Sequence, residues 1–178
     1  MKKKILWLLI GAFSIVYSNS PGAVVSFGTL TLNGEASEDF NSGCFIGVKV
    51  PLSQDCSFLG LNLKTAFGVN ISSISGDNVD KISMNSFSYH VSPSFNIPVN
   101  IDLGFGYGKM DKDYSGDDIV IGSFGASYSL PFSLPLPWNH SANLALAFEY
   151  HKYMDVEDGE FDAGDLDAYT LCLKLGSF

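Results

Sequence analysis

The chain is built on alternation. In Leu59–Ile71 the residues Leu59, Leu61, Leu63, Thr65, Phe67, Val69 and Ile71 share one parity; Gly60, Asn62, Lys64, Ala66, Gly68 and Asn70 share the other. A period of two puts each set on its own face of a β-strand. Strands of about 5–6 residues are usual, and this run is about twice that. The pattern recurs and predicts eight strands: Val24–Leu32, Cys44–Pro51, Ser57–Ser72, Ile82–Ile97, Val99–Lys109, Val120–Leu130, Ala142–Tyr153 and Leu166–Gly176. The first alternates least cleanly. Pro93 inside the fourth demands a bulge or a missing ladder bond.

The connections alternate in character as well. The first, third, fifth and seventh, Asn33–Gly43, Ser73–Lys81, Met110–Asp118 and Met154–Asp165, are long and acidic. The second and fourth, around Leu52–Cys56 and Pro98, are short. The sixth, Pro131–Ser141, is longer, rich in proline and apolar residues, and suited to a membrane interface. All of the 19 acidic residues except Asp55, Asp102 and Glu149 lie in the odd connections or at their edges. An up-and-down meander collects those four connections at one end.

Residues 1–22 read as a secretory signal peptide, with Lys2, Lys3 and Lys4 before the apolar run Ile5–Tyr17 and small residues after it. Residues 23–178 then form one domain, an all-β, eight-stranded antiparallel up-and-down barrel. Its apolar face can point inward around a greasy ligand in a soluble barrel, or outward toward lipid in a transmembrane one. Three features favour the second. The polar faces are rich in Gly, Ala and Ser, which suits a narrow lumen. The apolar faces are long enough to cross a bilayer, which takes about ten tilted residues. Aromatics gather toward strand ends, at Tyr89, Tyr107, Phe132, Trp138, Tyr150, Tyr153 and Tyr169.

With signal peptide, eight amphipathic strands, long odd loops, short even turns and a terminal Phe178, the chain resembles the small outer-membrane barrels of the OmpA/OmpX type. The resemblance implies a barrel in the outer membrane of a diderm bacterium, with periplasmic termini and a terminal aromatic in register with the outward residues. Leu171, Leu173 and Leu175 are odd while Phe178 is even; a bulge at Gly176 would restore that register.

Charge and chemistry narrow the function. The mature chain keeps seven lysines and no arginine against 19 acidic residues, a net charge of −12, which argues against nucleic-acid binding. Lys64, His90, Asp102, Glu149 and Lys174 have inward parity, as does Lys49. Unpaired charges in a narrow lumen are costly, so they are expected to form a structural network, with Lys64 reaching across to Glu149 near mid-height. A proton or ion path is the alternative for the same residues.

No metal or cofactor spacing is present. Asp111–Gly116, DKDYSG, only partly matches a Ca²⁺ loop, since the twelfth position is Gly122. The acidic run Asp155–Asp167 leaves divalent cations open as loop partners. Cys44 and Cys56 fall at opposite ends of the barrel, too far apart for a disulfide. His151 has inward parity near the outer rim, and no local motif joins it to a serine, so no enzyme is expected. The expected role is structural, or surface interaction through the acidic loops, by a monomer in contact with outer-membrane lipid and a surface partner the sequence does not name. A narrow channel or small-solute transporter is the alternative, and a lipid A-modifying enzyme the third reading.

Overall fold

Alternation of the kind seen in Leu61–Ile71 leaves each strand with two usable edges and two unlike faces. Closing the sheet satisfies every edge. The computed structural model describes residues 23–33, 42–52, 56–58, 60–75, 82–95, 97–112, 115–136, 140–157, 160–162 and 167–176. Its strands are β1 (Val24–Asn33), β2 (Gly43–Pro51), β3 (Cys56–Phe58), β4 (Leu61–Ile74), β5 (Ile82–Pro93), β6 (Val99–Lys112), β7 (Ser115–Leu136), β8 (His140–Glu157), β9 (Glu160–Asp162) and β10 (Asp167–Gly176). All pairings are antiparallel. β10 pairs with both β1 and β8, so the eight long strands form a closed up-and-down barrel. β3 and β9 are short additions to β4 and β8.

The register fixes the tilt. Val24 pairs with Lys49, and the row continues through Gly68, Ser88, Gly106 and Ile121 to Tyr153. Tyr153 lies two residues past His151, whose row closes through Ala168 to Leu32. The row that leaves β1 at position 24 therefore returns at position 34, a shear of ten residues. With eight strands about 4.8 Å apart and about 3.3 Å per residue, the strands tilt by about 40°. Each pairing row then climbs about 3 Å toward the loop end per strand crossed.

Several strands differ from the sequence expectation. The third begins with a hairpin: Phe58 pairs with Leu61 across a turn at Gly60, whose φ of 79° suits a residue without Cβ. Leu59 lies outside the described residues. The fourth is paired with β4 as far as Pro93, and beyond it the Ser94 N–H still donates to Asn62 O at 2.8 Å. The sixth connection is mostly strand. After a register shift between Ser129 and Ser133, β7 and β8 stay paired out to Leu136 and His140.

The fifth connection is also a hairpin, paired to Lys112 and Ser115. The partial Ca²⁺ motif therefore spends Asp111, Lys112, Ser115 and Gly116 on a ladder instead of a loop that curls around an ion. The seventh connection contains β9, folded back on β8. Residues 1–22, read above as a signal peptide, together with Trp138, Phe178 and most of the first and third connections, lie outside the described residues.

Candidate functional site

Inside and outside exchange polarity along the barrel. From the terminus end to past mid-height the outward positions are apolar and exposed: Phe27, Phe67, Val69, Phe87, Leu103, Phe105, Phe124, Leu146, Phe148 and Leu171 among them, with Phe87 71% exposed. At the terminus end Phe58, Leu61, Phe95, Phe132 and Leu134 extend this belt. On β4 it runs from Leu61 to Ile71, about 25 Å of height at the tilt above.

Tyr107, Tyr150 and Tyr169 stand toward its upper edge, with the Tyr150 and Tyr169 rings 5.4 Å apart. Above them the outer wall turns polar, with Thr31, Asn33 and Asn85 exposed. Two ion pairs lie there, Lys109–Asp118 at 3.5 Å and Lys152–Asp167 at 3.3 Å. At the same height the inner wall turns apolar. Leu30, Leu32, Phe45, Ile74, Met84, Met110, Ile119, Ile121, Tyr153 and Ala168 form a buried cluster that fills the loop end of the lumen.

Below that plug the lumen is charged. The Glu149 carboxylate accepts from Lys174 Nζ at 2.7 Å and from Lys49 Nζ at 3.5 Å. Lys49 also pairs with Asp102. Asp102 accepts from Ser92 Oγ at 2.8 Å and meets His90 Nδ1 at 2.9 Å. His90 Nε2 lies 2.8 Å from Ser88 Oγ, which accepts from Asn70 Nδ2 at 3.1 Å. One connected chain thus runs from β10 through β8, β2, β6 and β5 to β4. Two lysines balance two carboxylates, so the layer is neutral when both histidines are neutral.

Glycines shape this layer by what they admit. A Cβ on Gly68 or Gly104 would come within 2.9 and 2.8 Å of the His90 ring, and one on Gly125 within 2.9 Å of Glu149 Cγ. These positions hold the imidazole and the glutamate against the wall.

Of the residues expected in the lumen, the structure brings together His90, Asp102, Glu149 and Lys174, with Lys49. Lys64 stands apart: it is exposed, and among the described residues no carboxylate lies within ion-pair distance. The tilt explains this. Glu149, Gly125 and Asp102 lie on one pairing row, which Ser92 and Lys64 continue. Four strands at about 3 Å each put Lys64 about 12 Å nearer the terminus end than Glu149. Lys49 fills the place across the lumen that parity alone assigns to Lys64.

Sequence reasoning missed Ser88, Ser92 and Asn70. His-x-Ser spacing on one face, Ser88-x-His90-x-Ser92, was the available signal. His151 is not at the rim. It is buried beside Glu149, 3.6 Å between Nε2 and Oε2, with its ring 5.6 Å from that of Phe45. Cys44 pairs with Ser73 and Cys56 with Leu63, ten residues apart along β4 or about 33 Å, and all three thiols are free.

Ser88, His90 and Asp102 have the connectivity of a serine-hydrolase relay. Here the serine and histidine are both buried against the wall, and Asp102 is shared with Lys49 and Ser92. Among the described residues no group of three metal-binding side chains occurs.

No family model matches the chain, and no curated protein matches its sequence. Among solved structures it is similar to Neisserial surface protein A, at 10% identity and a TM-score of 0.44, over 86% of this chain and 94% of that one. It is also similar to a β-barrel-like protein of a domain of unknown function from Brucella abortus, at 8% identity and a TM-score of 0.33, over 89% and 98%.

Proposed function

We propose that this chain is an outer-membrane barrel of a diderm bacterium, exported by the signal peptide in residues 1–22, whose role is structural or one of surface interaction through its loop-end hairpins. The carrying observation is the exposed apolar belt bounded above by tyrosines and then by ion pairs. A soluble protein rarely exposes a contiguous apolar patch beyond a few hundred Å², whereas a belt about 25 Å tall with aromatic edges matches lipid. The reversal of polarity above the tyrosines supports a water boundary at that height. On this reading the acidic hairpins and loops face outward from the cell, lipid surrounds the belt, and the binding partner belongs to the loops. The protein acts as a monomer, since its eight long strands close on one another and the edges left, on β3 and β9, are three residues long.

The charged layer and the apolar plug close the lumen twice, which weighs against a channel or transporter. The buried relay weighs against lipid A modification or other catalysis. The test is fractionation with heat-modifiability. The chain should travel with outer membranes, resist carbonate, and run faster on a gel unboiled than boiled. Recovery as a freely soluble periplasmic protein would overturn the membrane assignment.

A further inference from the structure

On the outer face of the belt, every described strand position carries a side chain except Gly122 on β7. The glycines that line the lumen meet side chains or backbone within 4 Å of an added Cβ, whereas a Cβ on Gly122 would meet nothing. Gly122 pairs with Phe105 on β6 and with Lys152 on β8. Its outward neighbours on β7 are Val120, which is buried, and Phe124, which is exposed, as Phe105 is. The wall therefore has a notch one side chain deep, filled above and flanked by aromatic rings. It lies at the tyrosine edge, between Tyr107, which pairs with Val120, and Tyr150, which pairs with Phe124.

Two like units flank the notch. On β6, Tyr107 and Lys109 share the outward face, and Asp118 stands opposite Lys109. On β8, Tyr150 and Lys152 share it, and Asp167 stands opposite Lys152. Each carboxylate holds its ammonium group, at 3.5 and 3.3 Å, and lies within hydrogen-bonding reach of the tyrosine hydroxyl. Among the described residues, Lys109 and Lys152 are the outward lysines. Four residues along β6 and two strands across separate their Cα atoms by about 16 Å along the wall. Exposed ion pairs contribute little to stability, and a lysine has three donors, so each ammonium can take a second acceptor.

We propose that this stretch of wall is a binding site for one doubly phosphorylated glycolipid of the lipid A class. An acyl chain lies in the notch over Gly122, and the two phosphates meet Lys109 and Lys152. The inference rests on the membrane reading above and names one lipid within it. The chemistry is complementary at each level. A notch receives a chain that a full wall turns away. The chain as a whole is acidic, yet its outward cations stand on the two strands that border the notch, where lysine serves as a point charge for phosphate. A headgroup with one phosphate reaches one lysine; one with a phosphate at each end of a disaccharide spans both. Asp118 and Asp167 face the sugar hydroxyls as acceptors.

Native mass spectrometry tests this on the full chain, released from outer membranes into mild detergent with EDTA present. The barrel should retain one lipid A molecule, and after delipidation should take up added lipid A in preference to phosphatidylglycerol. Gly122→Leu should lose that retention. Lys109→Gln and Lys152→Gln should each weaken it about fivefold, the scale of one lysine at an anionic lipid surface. The faster unboiled gel band checks that each variant folds; if Gly122→Leu does not, the lysine variants decide. Equal retention by the parent and every folded variant would overturn the site. So would equal uptake of phosphatidylglycerol, or retention only when Mg²⁺ bridges lipid to the acidic loops. A chain that does not enter lipid vesicles overturns the membrane reading and this site together, whereas one that enters them and retains no lipid A overturns the site alone.

Discussion

Glu149 is the best place to measure what the charged layer contributes. Its side chain is 4% exposed and is the one acceptor shared by Lys49 and Lys174. At an effective dielectric constant of about 20, a pair at 2.7 Å is worth about 6 kcal/mol and one at 3.5 Å about 5 kcal/mol. Desolvation of the three groups offsets much of that, by several kcal/mol per ion. Removing the carboxylate reverses the balance: Lys49 keeps Asp102, and Lys174 loses its ion-pair partner.

Glu149→Gln should therefore cost about 3–5 kcal/mol, the range for breaking a buried pair from one side. The double variant Glu149→Gln/Lys174→Met removes charge from both sides and should recover a large part of the loss. Urea unfolding in detergent micelles, read by the faster unboiled gel band and by loss of β-sheet circular dichroism, gives both values. A single-variant cost below about 0.5 kcal/mol would mean that the pairs contribute nothing net beyond a surface substitution. A double variant no more stable than the single would mean that the cost comes from lost packing around Gly125 rather than from stranded charge.

Other outcomes follow from the same geometry. Lys64→Gln should change stability by less than about 0.5 kcal/mol in the same assay, because Lys64 is exposed and unpaired with any described carboxylate. Ile74→Ala should cost about 2–5 kcal/mol, because Ile74 is fully buried in the apolar plug; a negligible effect would show that the loop end of the lumen is not packed. Leu103→Lys should cost about 2–4 kcal/mol for the barrel folded into lipid vesicles, where a water-exposed Leu103 would tolerate the change. Planar-bilayer recordings of the parent should give no steady conductance, and reproducible single-channel steps would promote the transporter reading.

The eight long strands were legible because alternation sustained over ten residues fits a two-faced strand and little else. The chain β1–β2–β4–β5–β6–β7–β8–β10 follows the eight predicted segments in order. Their ends were less legible, each for a local reason. Pairing persists past Ser129 and past Lys109 through polar or proline-containing sequence that reads as loop, since a hairpin ladder needs backbone and not apolar side chains. The network was legible by parity and illegible by height. Parity says which side of the wall Lys64 and Lys49 are on. The shear says which of them meets Glu149, and shear belongs to pairings between strands that no single segment encodes.

The change of polarity along each strand was written in the sequence, but against the grain of a single apolar face. On β1 the apolar parity passes from Phe27 to Leu30 and Leu32, on β5 from Phe87 back to Met84, on β6 from Tyr107 to Met110 and on β8 from Tyr150 to Tyr153. Each switch places the apolar residue outward on the terminus side and inward on the loop side. A barrel in a uniform solvent has no reason to exchange its faces at one height on strand after strand. One that passes from lipid to water must do so, because the hydrophobic effect acts on whichever face meets water.

In the proposed setting the loop-end segment is then an ordinary packed barrel standing above the lipid, with Leu32, Ile74, Met84, Met110 and Ile119 as its core. The β6–β7 hairpin rises from that core and not from a flexible rim. A partner that binds there meets a base held by packing, so little ordering entropy is lost on binding. This favours a role in presentation over one in passage.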